Sequence, residues 1–193
     1  MQKIMFNDKY SLTKAVLDGI KTHTRRIIPL TDVDREYLDS AFDWDLRESI
    51  IIDRYARYKV GKEVAIAQSY KDIEDQLPVP INKNPFEQKQ GYHIYGDSAG
   101  WHNKMFVWAE LMPHRIRIIN IRIERLQDIS DEDCMKEGVR TDGYHQKYYT
   151  VSGFKMHYST PQLAFASLID RTCGKGTWES NPYVFVYEFE LIK

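Results

Sequence analysis

The sequence predicts an α+β fold, a small β-barrel with flanking helices and two insertions, and three observations lead there. Segments with strand-like alternation recur from one end of the chain to the other. Between them lie short helical segments with recognisable caps, and the longest alternating run slips its phase midway, as strands do where a small barrel turns a corner. A chain of 193 residues with 42% hydrophobic and 28% charged residues can bury one sizeable core, so a single domain over 1–193 is expected.

Taken in order, Lys3 to Phe6 reads as a short strand, and Ser11 as the N-cap of a helix whose Leu12, Ala15 and Val16 share one face. Gly19 ends that helix in the left-handed C′ position, and Thr22 to Ile28 then reads as a strand broken by Pro29. Residues 31–58 form the first insertion and look mostly helical, with Thr31 or Asp32 as cap and Tyr37, Leu38, Ala41 and Phe42 as an apolar stripe. Glu63 to Tyr70 is a compact strand with Val64 and Ile66 on one side and Ala65 and Ala67 on the other. Residues 71–104 combine Pro78, Pro80 and Pro85 with Gly91, Gly96 and Gly100, which predicts a long loop, and 71–99 is the second insertion.

Arg115 to Arg125 carries the clearest strand signal. Ile116 and Ile118 alternate with arginines, then Ile119, Ile121 and Ile123 alternate with polar residues, so a bulge or bend is expected at Ile118–Ile119. Ser130 followed by Asp131, Glu132 and Asp133 opens a short helix that Gly138 stops. After a tyrosine-rich loop at 144–158, Thr160 and Pro161 make an N-cap and N1 pair for a helix closed by Gly174. The last strand, Tyr183 to Leu191, sets Phe185, Tyr187, Phe189 and Leu191 against Val184, Val186, Glu188 and Glu190.

Composition also bounds function. The amino terminus opens on charged and polar residues, and nowhere is an apolar run long enough to span a bilayer, so a cytoplasmic protein with no membrane partner is expected. Cys134 and Cys173 are too few for a disulfide framework, and neither they nor the six histidines have metal-ligand spacing, so no metal or cofactor is expected. With 27 basic against 28 acidic residues, any polyanion site must be local. Two basic clusters qualify, Lys21 with Arg25 and Arg26, and Arg115 and Arg117 with Arg122 and Arg125; the second reads equally as a solvated strand face.

Were the chain extended from Lys21, its side chain and that of Thr24 would point apart. A turn after Gly19 instead lets a Lys-x-x-Thr pair converge on one cavity with Arg26 beside Thr24. An equally consistent reading has Lys21, Arg25 and Arg26 serving helix C-terminal carbonyls or a wet surface.

Gly19-Ile20-Lys21-Thr22-His23-Thr24-Arg25-Arg26 resembles the Gly-x-Lys-x-x-Thr-x-Arg signature of the ASCH domain, a PUA-like barrel. Gly100 to Phe106, Met112 to Ile118 leading to Glu124 to Ile129, and Trp178 with Asn181-Pro182 look like the longer bacterial and phage ASCH proteins. One ASCH branch is an amidohydrolase that removes the acetyl group of N4-acetylcytidine with a lysine, a threonine and a glutamate. The resemblance implies Lys21, Thr24 and Glu137 for these, with Glu132 or Asp133 taking the acid's place if the helix aligns one turn away. Thr24 would attack with Lys21 as base and Glu137 returning the proton, or would position a water that Glu137 activates. Arg25, Arg26, Trp101, Arg115 and Arg117 are the candidate contacts to RNA or a modified nucleoside. The alternatives to hydrolysis are an RNA-binding module without catalysis and an RNA-cleaving enzyme.

Overall fold

The computed structural model describes residues 1–40, 43–77, 98–141, 148–150 and 156–192. The expected Ala41–Phe42 part of the apolar stripe, most of the 71–104 loop and most of the tyrosine-rich loop lie outside these residues.

Five strands form one sheet: β1 (Gln2–Ile4), β2 (His23–Ile27), β3 (Glu63–Ile66), β4 (Arg115–Arg125) and β7 (Tyr183–Ile192), in the order β1-β3-β4-β7-β2. Among the described residues of this sheet only β1 and β3 pair in parallel. A separate two-stranded ladder joins β5 (Val139–Thr141) to β6 (Tyr148–Thr150), so part of the tyrosine-rich segment is strand rather than loop. The helices are α1 (Leu12–Leu17), α2 (Asp32–Asp39), α3 (Trp44–Tyr55), α4 (Asp131–Lys136), α5 (Pro161–Cys173) and α6 (Thr177–Ser180).

Alternation divides the core as the sequence implies. Ile4, Val64, Ile66, Ile116, Ile118, Phe185, Tyr187 and Phe189 share one face with residues of α1, α2 and α3. Val184 and Val186 look the other way, beneath α4 and α5, and Ala65 and Ala67 beneath the 3-10 turns at 71–76 and 109–111. The register of β4 shifts between Ile118 and Asn120, and Ile119, the extra residue, is 44% exposed. Past the bulge Ile121 and Ile123 return to the core.

The sheet is not closed into a barrel. Lys3 and Met5 point their carbonyls away from β3, and side chains rather than β2 satisfy them. The Tyr58 hydroxyl donates to Lys3 O at 3.0 Å and Arg26 Nη2 to Met5 O at 2.7 Å. Tyr58 comes from the end of the first insertion and packs edge-on against Tyr187. A cavity of about 270 Å³, lined by Lys3, Met5, Arg26, Tyr58 and Tyr187 among others, separates the two edges.

Caps follow the sequence with one exception. Thr31, Ser130 and Thr160 accept from backbone N–H groups of their first turns, and Pro161 begins α5. Ser11 instead adopts a left-handed conformation, φ 54°, and its side chain makes no capping bond. One turn earlier the Asn7 side-chain oxygen does cap a turn, accepting from Lys9 N.

Candidate functional site

The segment after α1 is set by a Schellman turn. With Gly19 at φ 70°, Gly19 N–H donates to Val16 O at 3.0 Å and Ile20 N–H to Ala15 O at 2.8 Å. Thr22 N–H then donates to Lys136 O at 2.9 Å, pinning the turn to the last residue of α4. Glu137 is the C-cap of α4, and its N–H is held by Asp133 O. Two segments more than a hundred residues apart therefore present Lys21 and Glu137 to each other.

Both side chains are buried, with 3% of each residue exposed. The Lys21 amine donates to Glu137 O at 3.0 Å and pairs with Glu137 Oε2. Arg25 takes the other carboxylate oxygen, Nη1 to Oε1 at 3.1 Å, and also holds Glu124 Oε1 through Nε at 2.7 Å and Asp133 Oδ2 through Nη2 at 2.9 Å. Its guanidinium carbon lies 5.8 Å from the Phe165 ring centroid. Arg122 closes the network by donating to Glu124 and Asp133. Asp133 and Glu137 lie one turn apart on one face of α4. They are both in the network, so the choice between them resolves into two different sets of contacts. Glu132 points outward and pairs with Lys136.

Burial dominates the electrostatics. It pulls the Lys21 amine below the ordinary lysine range; Glu137 opposes that, while Arg26 and Arg25 add to it. Burial works against the Arg25 cation too, yet Glu137 and Glu124 outweigh it and hold the guanidinium above its usual value. Asp133 ends below the usual carboxylate range, because its bonds from Arg25 and the charge of Arg122 exceed the cost of its burial. His23, buried on β2, is lowered by desolvation despite Asp133 and Glu188 nearby.

Above this pair opens a cavity of about 510 Å³, inside the usual range for small-molecule sites. Lys21, Thr24, Arg25, Arg26 and Glu137 all line it, with Phe165 and Leu168 of α5 as an apolar wall. The extended run of β2 sends Thr24 and Arg26 to one side and His23 and Arg25 to the other, and the turn after Gly19 returns Lys21 to the shared space. Thr24 is 5% exposed, and its hydroxyl has no hydrogen-bond partner among the described residues.

The remaining expected contacts lie elsewhere. Trp101 packs against the cluster around Tyr70, outside the cavity. Arg115 and Arg117 lie at the start of β4, where both pair with Glu63 and Arg117 also with Glu190. Sequence reasoning did not pick out Glu124, Phe165, Lys9, His102 or Lys104, which complete the network or the cavity wall. Glu124 had a legible signal, an acid on the polar side of an arginine-rich strand, and His102 and Lys104 fall in the Gly100 to Phe106 segment of the resemblance; Phe165 and Lys9 had none.

No model of a protein family, no curated protein and no solved structure matches this chain.

Proposed function

We propose that this chain is a PUA-like protein of the ASCH type that hydrolyses the N-acyl amide of a cytidine-like nucleoside, N4-acetylcytidine being the reference substrate. The observation that carries the reading is the buried Lys21–Glu137 pair on the floor of a nucleoside-sized cavity that Thr24 also lines.

Amide hydrolysis needs an oxygen nucleophile, a group to take its proton and to give one to the departing amine, and a donor for the oxyanion. The Thr24 hydroxyl supplies or orients the attacking oxygen. The Lys21–Glu137 couple accepts the proton released on attack and returns it to the exocyclic nitrogen as the C–N bond breaks; water adds across that bond overall. Burial lowers the Lys21 amine below the ordinary lysine range, which makes it easier to deprotonate than a free lysine. Arg25 acts through Glu137: it fixes one carboxylate oxygen so that the other meets Lys21. Arg26, on the cavity side, holds the substrate.

RNA binding has less support. Each of the four arginines of β4 already faces a carboxylate: Arg115 and Arg117 face Glu63, Arg122 faces Glu124 and Asp133, and Arg125 faces Asp39.

The test is incubation of purified, folded protein with N4-acetylcytidine and related N-acyl nucleosides, resolved by chromatography. Release of cytidine by the wild type, with a loss of about 100-fold or more in Lys21→Met, Glu137→Gln and Thr24→Val, is expected. Intact substrate across the series overturns the proposal.

A further inference from the structure

The charges around the cavity do not cancel. Among its lining residues Glu137 is engaged by Lys21 and Arg25, and Asp8 by Lys104 at 2.7 Å. Arg25 spends its donors on Glu124, Asp133 and Glu137. That leaves Arg26 and Lys9, both exposed at the mouth and both lining the cavity, with no carboxylate partner among the described residues. Arg26 donates to Met5 O, at 2.7 Å, and lies 6.0 Å over the Phe6 ring; the Lys9 amine rests 5.7 Å over Tyr10. Lys104 reaches the same rim from another segment, donating to Phe6 O and to Thr13. His102 and Asn103 stand beside it on the cavity wall. A neutral nucleoside would leave this excess of positive charge unanswered.

We propose that the substrate carries a phosphate monoester: the site takes a nucleoside 5′-monophosphate, with the acylated base on the Lys21–Glu137 floor and the phosphate at the mouth between Arg26 and Lys9. The inference rests on the hydrolase reading for which end of the ligand reaches the floor. It does not rest on that reading for the anion. A planar guanidinium and a flexible ammonium suit the several acceptor oxygens of a phosphate, and charge-assisted bonds of this kind are the stronger ones. Lys104 is held by Asp8 and sets the field of the rim rather than contacting the ligand.

The experiment compares cytidine, cytidine 5′-monophosphate and inorganic phosphate by titration calorimetry. It also compares kcat/KM for N4-acetylcytidine with that for its 5′-monophosphate. The nucleotide is expected to bind about tenfold or more tighter than the nucleoside, with the gap closing as salt rises. Arg26→Gln and Lys9→Gln should each erase most of that ratio, and Lys14→Gln, on the exposed face of α1, should keep it. Equal binding and equal turnover of nucleoside and nucleotide overturn this inference while leaving the hydrolase reading intact. A nucleotide preference that depends on Arg26, with no hydrolysis of either acetylated substrate, supports this inference and removes the hydrolase reading. Inorganic phosphate binding as tightly as the nucleotide overturns the assignment of a nucleotide.

Discussion

Glu137→Gln and Lys21→Met remove opposite halves of one buried pair, and the surroundings make their costs unequal. Losing Lys21 leaves the Glu137 carboxylate with Arg25 at 3.1 Å, still neutralised; the cost is about 1–3 kcal/mol, that of an imperfectly satisfied buried group. Losing the Glu137 charge leaves the Lys21 amine buried with a carbonyl oxygen and a neutral amide, facing Arg25 and Arg26, and breaking a buried pair this way costs about 3–5 kcal/mol. For a chain of this length that is a fall of roughly 6–20 °C in Tm. Lys21 already sits below its ordinary pKa, and without Glu137, which raises it, it sits lower still. Between its folded and unfolded pKa values the unfolded chain then binds more protons, so the stability of Glu137→Gln rises with pH across that window, up to about 10.4. Urea titrations at pH 7 and pH 9 read both effects. The double variant Lys21→Met/Glu137→Gln should recover stability relative to Glu137→Gln alone, a coupling that independent sites do not show. A Lys21→Met variant as damaged as Glu137→Gln, or a Glu137→Gln variant that gains nothing at pH 9 relative to wild type, would refute the assignment of this pair.

Three further outcomes follow. The ascending limb of kcat/KM against pH should fall below the ordinary lysine range, and Arg26→Gln should move it to higher pH, because Arg26 is one of the charges pushing Lys21 down; an unmoved limb separates the titration from Lys21. Folded His23 has a lowered pKa, so on acidification the unfolded chain protonates first and stability is lost as pH falls through about 6.5 toward the folded value. Chemical denaturation at pH 7.5 and 5.5 should show that loss in the wild type and a smaller one in His23→Gln. A Cβ on Gly100 would clash with the buried Tyr70 ring, whose hydroxyl accepts from Trp108 N, so Gly100→Ala should cost about 1–3 kcal/mol by overpacking and lower Tm without altering the site chemistry.

Local rules were the legible ones. The left-handed glycine after α1, the caps at Ser130 and Thr160, and the phase slip at Ile118–Ile119 each depend on residues within one turn or one pleat, and each has the geometry its sequence implies. Barrel closure was not legible, because it turns on which side chains reach the open edge of β1. Tyr58, from the first insertion, and Arg26 take the carbonyls that a barrel would have given to β2. The carboxylate partners of Arg25 were not legible for a related reason. A charged residue in a strand reads as ligand-facing or wet, and nothing near it in sequence announces Glu124, Asp133 and Glu137, which lie 99, 108 and 112 positions away.

Adjacent arginines on one strand thus receive opposite tasks from the period of two. Arg25 is turned inward, where an unpaired guanidinium would be costly, and three carboxylates converge on it. Having fixed Glu137 Oε1, it leaves Oε2 one orientation, toward Lys21, so the floor of the cavity is held before any ligand arrives. Arg26 is turned to the mouth, where solvent meets the cost of its charge and a ligand can replace solvent. Exchanging the pair's surroundings by a one-residue slip of β2 against β7 would put Arg26 among the carboxylates and Thr24 outside the cavity. The register His23–Glu188 to Ile27–Val184 is therefore as much a determinant of the site as any of its side chains.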